Sequence, residues 1–464
     1  MDSNLIQQGY LPTSTTAPPI ALSSWYLSVY NGQPEDTSKN EWINWGGWTF
    51  QTTAFATRGQ GTWNIPSPGT NNITTMSGGP VLVSNNPLNA FPLTAVNNEQ
   101  NLAPYVPPSG QTVPFITQNA FYFDQVGSGR NASAQIDIVK NAVQTYGALA
   151  TYMYAGGYTE GGHDVSVFNT VGNVTYEYNP GNKAYDHAVT IIGWNDNITV
   201  PGSGTTGAWI VQNSWGSWGG TLASNDGTFY APYNDPYIGV VGVTAYKMAP
   251  IGKYSPFVLQ NELGPTGNTN GANASNPTGM GIIDSSRATL ALSQFTITSP
   301  GVLLALGLTS LDAQSGATKT ATISLYDGFD AGTNTFGSLL ETQQVTFLQE
   351  GYSLFDLNLP LTLYMNEMLA IKVDYGSSSI PYVWEPDGAN SDLSFFYDTL
   401  TNQWVDFATF TPGGPNSNDA YDGVFSVKGI LAAPEPSTYW LCNFLALAGV
   451  VGWRRRAKWR LSRV

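Results

Sequence analysis

The stretch DHAVTIIGW, residues 186–194, places a histidine at the start of an apolar run that is typical of a buried strand. A second apolar run follows and leads into NSWGSWGG, residues 213–220, which begins with an asparagine. Because two such runs separated by a turn pair as neighbouring strands, we expect His187 and Asn213 to lie at adjacent strand ends. An amide oxygen that accepts one imidazole N–H fixes the tautomer and direction of the ring. The two stretches therefore predict an oriented histidine that serves as general base and acid.

A histidine oriented in this way normally activates a thiol, because the imidazolium stabilises the thiolate and then protonates the leaving amine. The chain has one cysteine, Cys442, in an apolar segment near the C-terminus, where the surroundings raise the pKa of a thiol. Trp215 is predicted to cover the histidine–asparagine hydrogen bond and to keep water from competing for it. The sequence thus predicts the supporting members of a catalytic site without their nucleophile.

The composition favours an exported, β-rich protein. Charged residues make up 11% of the chain, whereas there are 50 glycines and 13% aromatic residues. Residues 1–433 carry 11 basic and 31 acidic side chains, which opposes binding to nucleic acid. A single cysteine excludes an internal disulfide, and with only two histidines we predict no metal site and no cofactor.

Two further segments of the first half have clear local patterns. SAQIDIVKNAVQTYG, residues 133–147, has apolar residues at helical spacing and ends in a glycine, so it predicts a helix that is followed by a strand at 148–154. Upstream, INWGGWTFQTTAF, residues 43–55, looks like the Asn-Gly-Gly stretch that opens a helix in the papain-like cysteine peptidases. This resemblance implies that Gly46 and Gly47 let the backbone pair with an extended substrate.

These segments together resemble the papain-like cysteine peptidases. GNKAYDHAVTIIGW resembles the histidine segment of that family, and GAWIVQNSWGSWGG resembles its asparagine segment, Lys-Asn-Ser-Trp-Gly-x-x-Trp-Gly. ALSSWYL, residues 21–27, stands where the family has a Leu-Ser segment. The resemblance covers about residues 20–250 and implies peptide-bond hydrolysis with His187 and Asn213 as catalytic residues and Trp215 as their support.

The chain departs from this family in its first twenty residues. The family has Gln-Gly-x-Cys-Gly-x-Cys-Trp there, whereas this chain has QQGYLPTSTTAPP with no cysteine and with prolines that oppose a helix. The first residues also lack the pattern of a signal peptide. Three explanations stay open: a start that is truncated, which we favour, a partner chain that supplies the missing lobe, or a protein that keeps the fold for binding. The chain as written is expected to be inactive.

The second half has short alternating segments that are typical of an antiparallel sandwich or jelly roll. A Gly-, Asn- and Pro-rich stretch at 263–279 precedes them. The predicted strands are 293–298, 302–308, 321–326, 352–357, 368–375 and 424–430. Their order resembles the lectin-like sandwich that follows papain-like domains in some bacterial surface peptidases.

The C-terminus reads PEPSTYWLCNFLALAGVVGWRRRAKWRLSRV, residues 434–464. Its apolar run at 439–453 would form a helix of about 22 Å, short of the ~30 Å of a bilayer core unless its flanks snorkel. Pro-Glu-Pro, an apolar segment and an arginine cluster in this order resemble the PEP-CTERM sorting signal. That resemblance implies an exosortase as partner and a location at the bacterial envelope, membrane-anchored or released after processing of the tail.

The predicted fold class is therefore α+β. It comprises a papain-like two-lobed fold with an incomplete N-terminal lobe, an antiparallel β-sandwich or jelly-roll domain, and a single C-terminal transmembrane helix. The predicted units are an irregular segment at 1–19, a peptidase domain at 20–250, a linker at 251–285, a sandwich at 286–431 and the sorting tail at 434–464.

The predicted function is that of a surface-directed cysteine-type peptidase homologue that acts on a peptide or protein. The alternative is a catalytically inactive surface protein that binds an extracellular polysaccharide or matrix component.

Overall fold

The fold is described by a computed structural model. It describes residues 2–10, 49–57, 73–76, 79–82, 115–123, 132–156, 158–159, 162–163, 167–179, 185–213, 220–221, 227–259, 280–298, 300–311, 318–386, 394–409 and 421–432.

Helices are few and mostly short in this part of the chain. They are α1 (Asp2–Gln7), α2 (Thr49–Thr57) and α3 (Ala132–Tyr146), with a 3-10 turn at Phe407–Thr409. The helix predicted at 133–147 is confirmed as α3. Its apolar side packs into the core through Val139 and Ala142, and Gly147 ends it at φ +85°, a conformation that favours glycine.

The strands of the first half are β1 (Ile73–Met76), β2 (Gly79–Leu82), β3 (Phe115–Tyr122), β4 (Leu149–Met153), β5 (Tyr158–Thr159), β6 (Gly162–His163), β7 (Phe168–Val171), β8 (Val174–Glu177), β9 (His187–Thr199), β10 (Thr206–Gln212), β11 (Thr228–Pro232), β12 (Thr244–Pro250) and β13 (Tyr254–Leu259). They begin with one short hairpin, β1-β2, and a second short hairpin, β5-β6, follows β4.

The strands of the second half are β14 (Met280–Ile283), β15 (Leu290–Thr296), β16 (Gly301–Ser310), β17 (Lys319–Tyr326), β18 (Phe329–Asp330), β19 (Thr335–Phe336), β20 (Leu339–Phe347), β21 (Gly351–Leu363), β22 (Met368–Asp374), β23 (Ile380–Pro386), β24 (Ser394–Asp398), β25 (Gln403–Asp406), β26 (Tyr421–Phe425) and β27 (Val427–Ala432). They cover the segments that the alternating pattern predicted, except that the single strand predicted at 424–430 is divided between two strands of different sheets, β26 and β27.

One long sheet runs through both halves. Among the described residues it has twelve strands in the order β13-β27-β16-β21-β3-β12-β4-β9-β10-β11-β8-β7. The second half adds a six-stranded sheet, β20-β17-β22-β15-β24-β25, and a three-stranded one, β14-β23-β26. Strands β27, β16 and β21 therefore belong to the sandwich and to the long sheet at once.

The core of the sandwich lies between those strands and the six-stranded sheet. Strand β22 shows why, because its side chains alternate: Leu369, Ile371 and Val373 are buried in this core, whereas Lys372 and Asp374 are partly exposed on the other face. A second core forms in the first half, where α3 packs on β3, β4 and β9 to β11.

The junction of the two halves is made by backbone pairing of β3 with β21. Gly351, Tyr352 and Ser353 stand opposite Phe121, Ala120 and Asn119. Gly351 has φ +120°, and a Cβ at this position would overlap the carbonyl oxygen of Ala120. Only glycine therefore lets the two strands approach here.

The prediction of an α+β fold class is wrong. Strand accounts for 57% and helix for 11% of the structure, so the protein is mostly β, and papain-like and sandwich features fit only in part. The physical reason is that the strands of the first half hydrogen-bond onward into those of the second, and that α1 and α2 span only a few turns.

The predicted transmembrane helix is not supported either. None of the helices in the described ranges is long and apolar enough to cross a membrane. The tail at 434–464 and the stretch at 263–279 lie outside the described residues.

Replacing Gly351 with alanine is expected to lower the free energy of unfolding by about 3 kcal/mol, because the Cβ adds a backbone clash to an unfavourable φ. Urea unfolding followed by circular dichroism measures the change. Gly376→Ala is the matched control, since its φ is +65° and the nearest atom to its Cβ would be 4.0 Å away. Equal losses for the two variants would contradict the importance of the close approach.

Candidate active site

His187 is the first residue of β9 and is held by the end of β4. It stands opposite Met153 in the antiparallel pair, and the N–H of Asp186 donates to the Met153 carbonyl oxygen at 3.0 Å. The Asp186 carboxylate in turn accepts the N–H of Ala155 at 2.7 Å. These bonds fix the backbone on both sides of the strand end, so the histidine side chain starts from a rigid base.

Asn213 directly follows the last residue of β10 and is 5% exposed. Its N–H donates to the Gly227 carbonyl oxygen at 2.9 Å. The Gln212 side-chain amide donates to the carbonyl oxygens of Asn213 and Gly227, at 3.1 and 3.0 Å. These hydrogen bonds fix the backbone where it leaves β10, and this fixed backbone positions the side-chain amide of Asn213.

The structure brings His187 and Asn213 together, as the sequence predicts. Strands β9 and β10 pair antiparallel with Gln212 opposite Thr190, and His187 Nε2 lies 2.9 Å from Asn213 Oδ1. An amide oxygen only accepts hydrogen bonds, so Nε2 is the donor. In the neutral ring the basic nitrogen is then Nδ1, and this is the atom that can take a proton from a nucleophile.

The other predicted site residues are not placed. Trp215, Gly46 and Gly47 lie outside the described residues. Helix α2 nevertheless begins at Thr49, close after the two glycines, as the resemblance implies. Within the described ranges no group of three or more His, Cys, Asp or Glu residues could hold a metal ion.

Tyr152 connects α2 to the strand beside the histidine, and sequence reasoning missed it. Its hydroxyl oxygen accepts the N–H of Thr49 at 2.6 Å, and its ring stacks on Tyr185 with centroids 5.1 Å apart. Tyr185 also meets the ring of Tyr237 edge-on at 5.3 Å. The segment after the glycines and the segment before His187 are thus joined through one buried ring. The sequence shows Tyr152 only as one apolar member of a strand.

A buried carboxyl pair lies beyond this aromatic group. Glu177 is 0% exposed and Asp235 is 3% exposed, and the Asp235 carboxylate accepts the N–H groups of Tyr237 and Ile238 at 2.8 and 2.7 Å. Burial, and then the neighbouring Asp235 carboxylate, raise the pKa of Glu177 well above its ordinary value. Burial raises the pKa of Asp235 to about 6. Glu177 is therefore the protonated member of the pair.

With this geometry defined, three comparisons bear on the class of the protein. Residues 94–228 match the sequence model of the papain family cysteine proteases. That range contains α3 and both of the residues that meet at the ends of β9 and β10. No curated protein matches the chain.

Two solved structures share the overall fold. The clostridial cysteine protease Cwp84 after propeptide cleavage aligns with a TM-score of 0.57 and 17% identity, over 93% of this chain and 91% of that chain. The cysteine protease and lectin-like domains of Cwp84, a surface layer associated protein of Clostridium difficile, align with a TM-score of 0.56 and 15% identity, over 93% and 82%. At these identities the likeness is one of fold.

The histidine tautomer is directly measurable, because the chain has only His187 and His163. We expect ¹⁵N shifts of the labelled imidazoles to show His187 protonated at Nε2 when neutral. Asn213→Ala should lose this preference, and Asn213→Asp should raise the pKa of His187, since a carboxylate favours the imidazolium. The His163 signals serve as internal control. A His187 spectrum that is unchanged in both variants would contradict the contact.

The carboxyl pair predicts how stability depends on pH. Both folded-state pKa values are raised, so the folded chain retains protons that the unfolded chain has released, and stability falls as pH rises above about 4. Glu177→Gln has no ionisable group at this position, so we expect this variant to be more stable than the wild type at pH 8 but not at pH 4. Urea unfolding at both pH values tests this, with exposed Asp137→Asn as control. Parallel pH profiles for wild type and Glu177→Gln would refute it.

Proposed function

We propose that this protein is a papain-like cysteine-type peptidase homologue that is directed to the bacterial cell surface. The contact of His187 Nε2 with Asn213 Oδ1 at 2.9 Å carries the proposal. The family match at 94–228 and the shared fold with the Cwp84 structures support it.

The proposed roles follow from the direction of the histidine. Asn213 holds Nε2, so Nδ1 receives the proton of a thiol, and the thiolate attacks the peptide carbonyl carbon. The imidazolium then returns the proton to the leaving amine, and water hydrolyses the thioester with His187 again as base. Trp215 protects the hydrogen bond, and Gly46 and Gly47 pair with an extended peptide.

The proposal has two forms, which differ in whether a thiol nucleophile is supplied to His187. The one cysteine of the 464 residues is Cys442, in a tail that resembles a sorting signal for an exosortase. In the peptidase form the thiol comes from outside these residues. Either a longer gene product or a partner chain supplies it. In the binding form the protein is an inactive homologue that attaches to a polysaccharide or matrix component.

We expect the purified 464-residue chain to release no product from fluorogenic peptides and to react with an epoxide thiol inhibitor no faster than an unactivated thiol does, because the apolar segment around Cys442 disfavours a thiolate. Cys442→Ser should then abolish the labelling. Mass spectrometry of the labelled peptide measures both. Thiol-dependent hydrolysis by the purified chain would contradict this expectation.

The same inhibitor applied to the protein isolated from its own cells separates the two forms. Labelling at a cysteine other than Cys442, with a rate that His187→Ala lowers by about 10²–10⁴-fold, supports the peptidase. A folded native protein that is not labelled supports the binding form. Asn213→Gln, which keeps an amide but displaces it, is the matched variant of the orienting residue.

A further inference from the structure

We propose that a cavity at the junction of the two halves binds a small sugar acid, with Lys247 pairing with its carboxylate. The cavity has a volume of about 420 Å³, within the ~300–1,000 Å³ that small-molecule sites occupy. It lies between the end of α3, the helix α1 and the strands β12, β3 and β21, and its chemistry is independent of the proposed peptidase site.

A row of polar residues crosses three neighbouring strands at this cavity. Lys247 of β12 stands opposite Asn119 of β3, and Asn119 stands opposite Ser353 of β21. Residues in register on adjacent strands project to the same face, and the Asn119 amide donates to the Ser353 hydroxyl at 3.1 Å. Lysine, amide and hydroxyl groups thus line one wall in a fixed order.

Two hydrogen-bond donors at the cavity have no acceptor among the described residues. Lys247 makes no ion pair there, although the chain has 32 acidic against 17 basic residues. Asn4 is 1% exposed, and its Oδ1 accepts the N–H of Met248 and the Gln8 amide at 2.8 and 2.6 Å. The Asn4 Nδ2 is buried without a partner. Lys247 is only partly buried, so its ammonium group can meet a ligand that brings acceptor oxygens, and Asn4 Nδ2 is an unsatisfied donor in the wall behind it.

The lining further selects a polyhydroxylated carboxylate. No acidic side chain lines the cavity within the described ranges, so the local potential of Lys247 favours an anion. Gln8, Thr145 and Ser353 offer groups that both donate and accept, which suits hydroxyls. Tyr146 is partly buried and packs on Phe121 with ring centroids 5.2 Å apart, so its ring offers an apolar edge of the cavity to the carbon-bound face of a sugar. A hexuronate combines all of these features.

Binding of glucuronate to the full chain is measured by isothermal titration calorimetry, with glucose and acetate as partial ligands. We expect glucuronate to bind and the two partial ligands to bind at least tenfold more weakly. Lys247→Met should weaken glucuronate binding by about tenfold or more, since a hydrogen bond to a charged group is lost. Lys247→Arg should retain it. Lys372→Met, which removes the same charge from the six-stranded sheet, is the control.

Thr145 is exposed and lines the cavity, so it tolerates substitution by either a positive or a negative side chain. Two variants of opposite charge at this position test the proposal even if the Lys247 variants fail to fold. Thr145→Lys should strengthen glucuronate binding, Thr145→Glu should weaken it, and neither should change glucose binding. The proposal is overturned by absence of glucuronate binding, by acetate binding as tightly as glucuronate, or by Thr145 variants without effect.

Discussion

The antiparallel register of β4, β9 and β10 is the constraint on which the candidate active site depends. His187 opposes Met153 at one edge of β9, and Gln212 opposes Thr190 at the other. A shift of one residue in either pair would turn the histidine to the opposite face and move it away from Asn213. Because Val189, Ile191, Trp209 and Val211 are buried in the core of the first half, such a shift would also expose apolar side chains. The register that packs this core is therefore also the register that aligns His187 with Asn213.

A second pairing joins the two halves, and it explains why the fold departs from the predicted class. The sandwich and the peptidase-like half share backbone hydrogen bonds across β3 and β21 instead of meeting only through side chains. Leu5 of α1, Ala120, Tyr246, Met248 and Tyr352 form a small core at this place, with contributions from both halves. Motion of one half against the other would break ladder hydrogen bonds and open this core, so the cavity beside it is built on a rigid wall.

Features that depend on neighbours in the chain could be predicted from the sequence. Helix α3 and the strands of the sandwich follow from apolar spacing and from turn residues, and the contact of His187 with Asn213 follows from two motifs only 26 residues apart. The pairing of Gly351 with Phe121 joins residues that are 230 positions apart in the sequence, and no local sequence pattern predicts it. The same holds for the hydrogen bond between Tyr152 and Thr49 and for the contact of Glu177 with Asp235. The role of each residue depends on a partner that is distant in the sequence and adjacent only in the folded chain.

The direction of the imidazole limits where a nucleophile can stand. Since Asn213 occupies Nε2, a thiol that is to be activated must approach Nδ1, on the other side of the ring. Cys442 would have to bring the C-terminal tail to that position, and it belongs to an apolar segment whose surroundings disfavour a thiolate. Any polypeptide that completes the site must therefore reach Nδ1 from the side opposite Asn213. The histidine–asparagine pair thus serves as a geometric criterion for any candidate nucleophile.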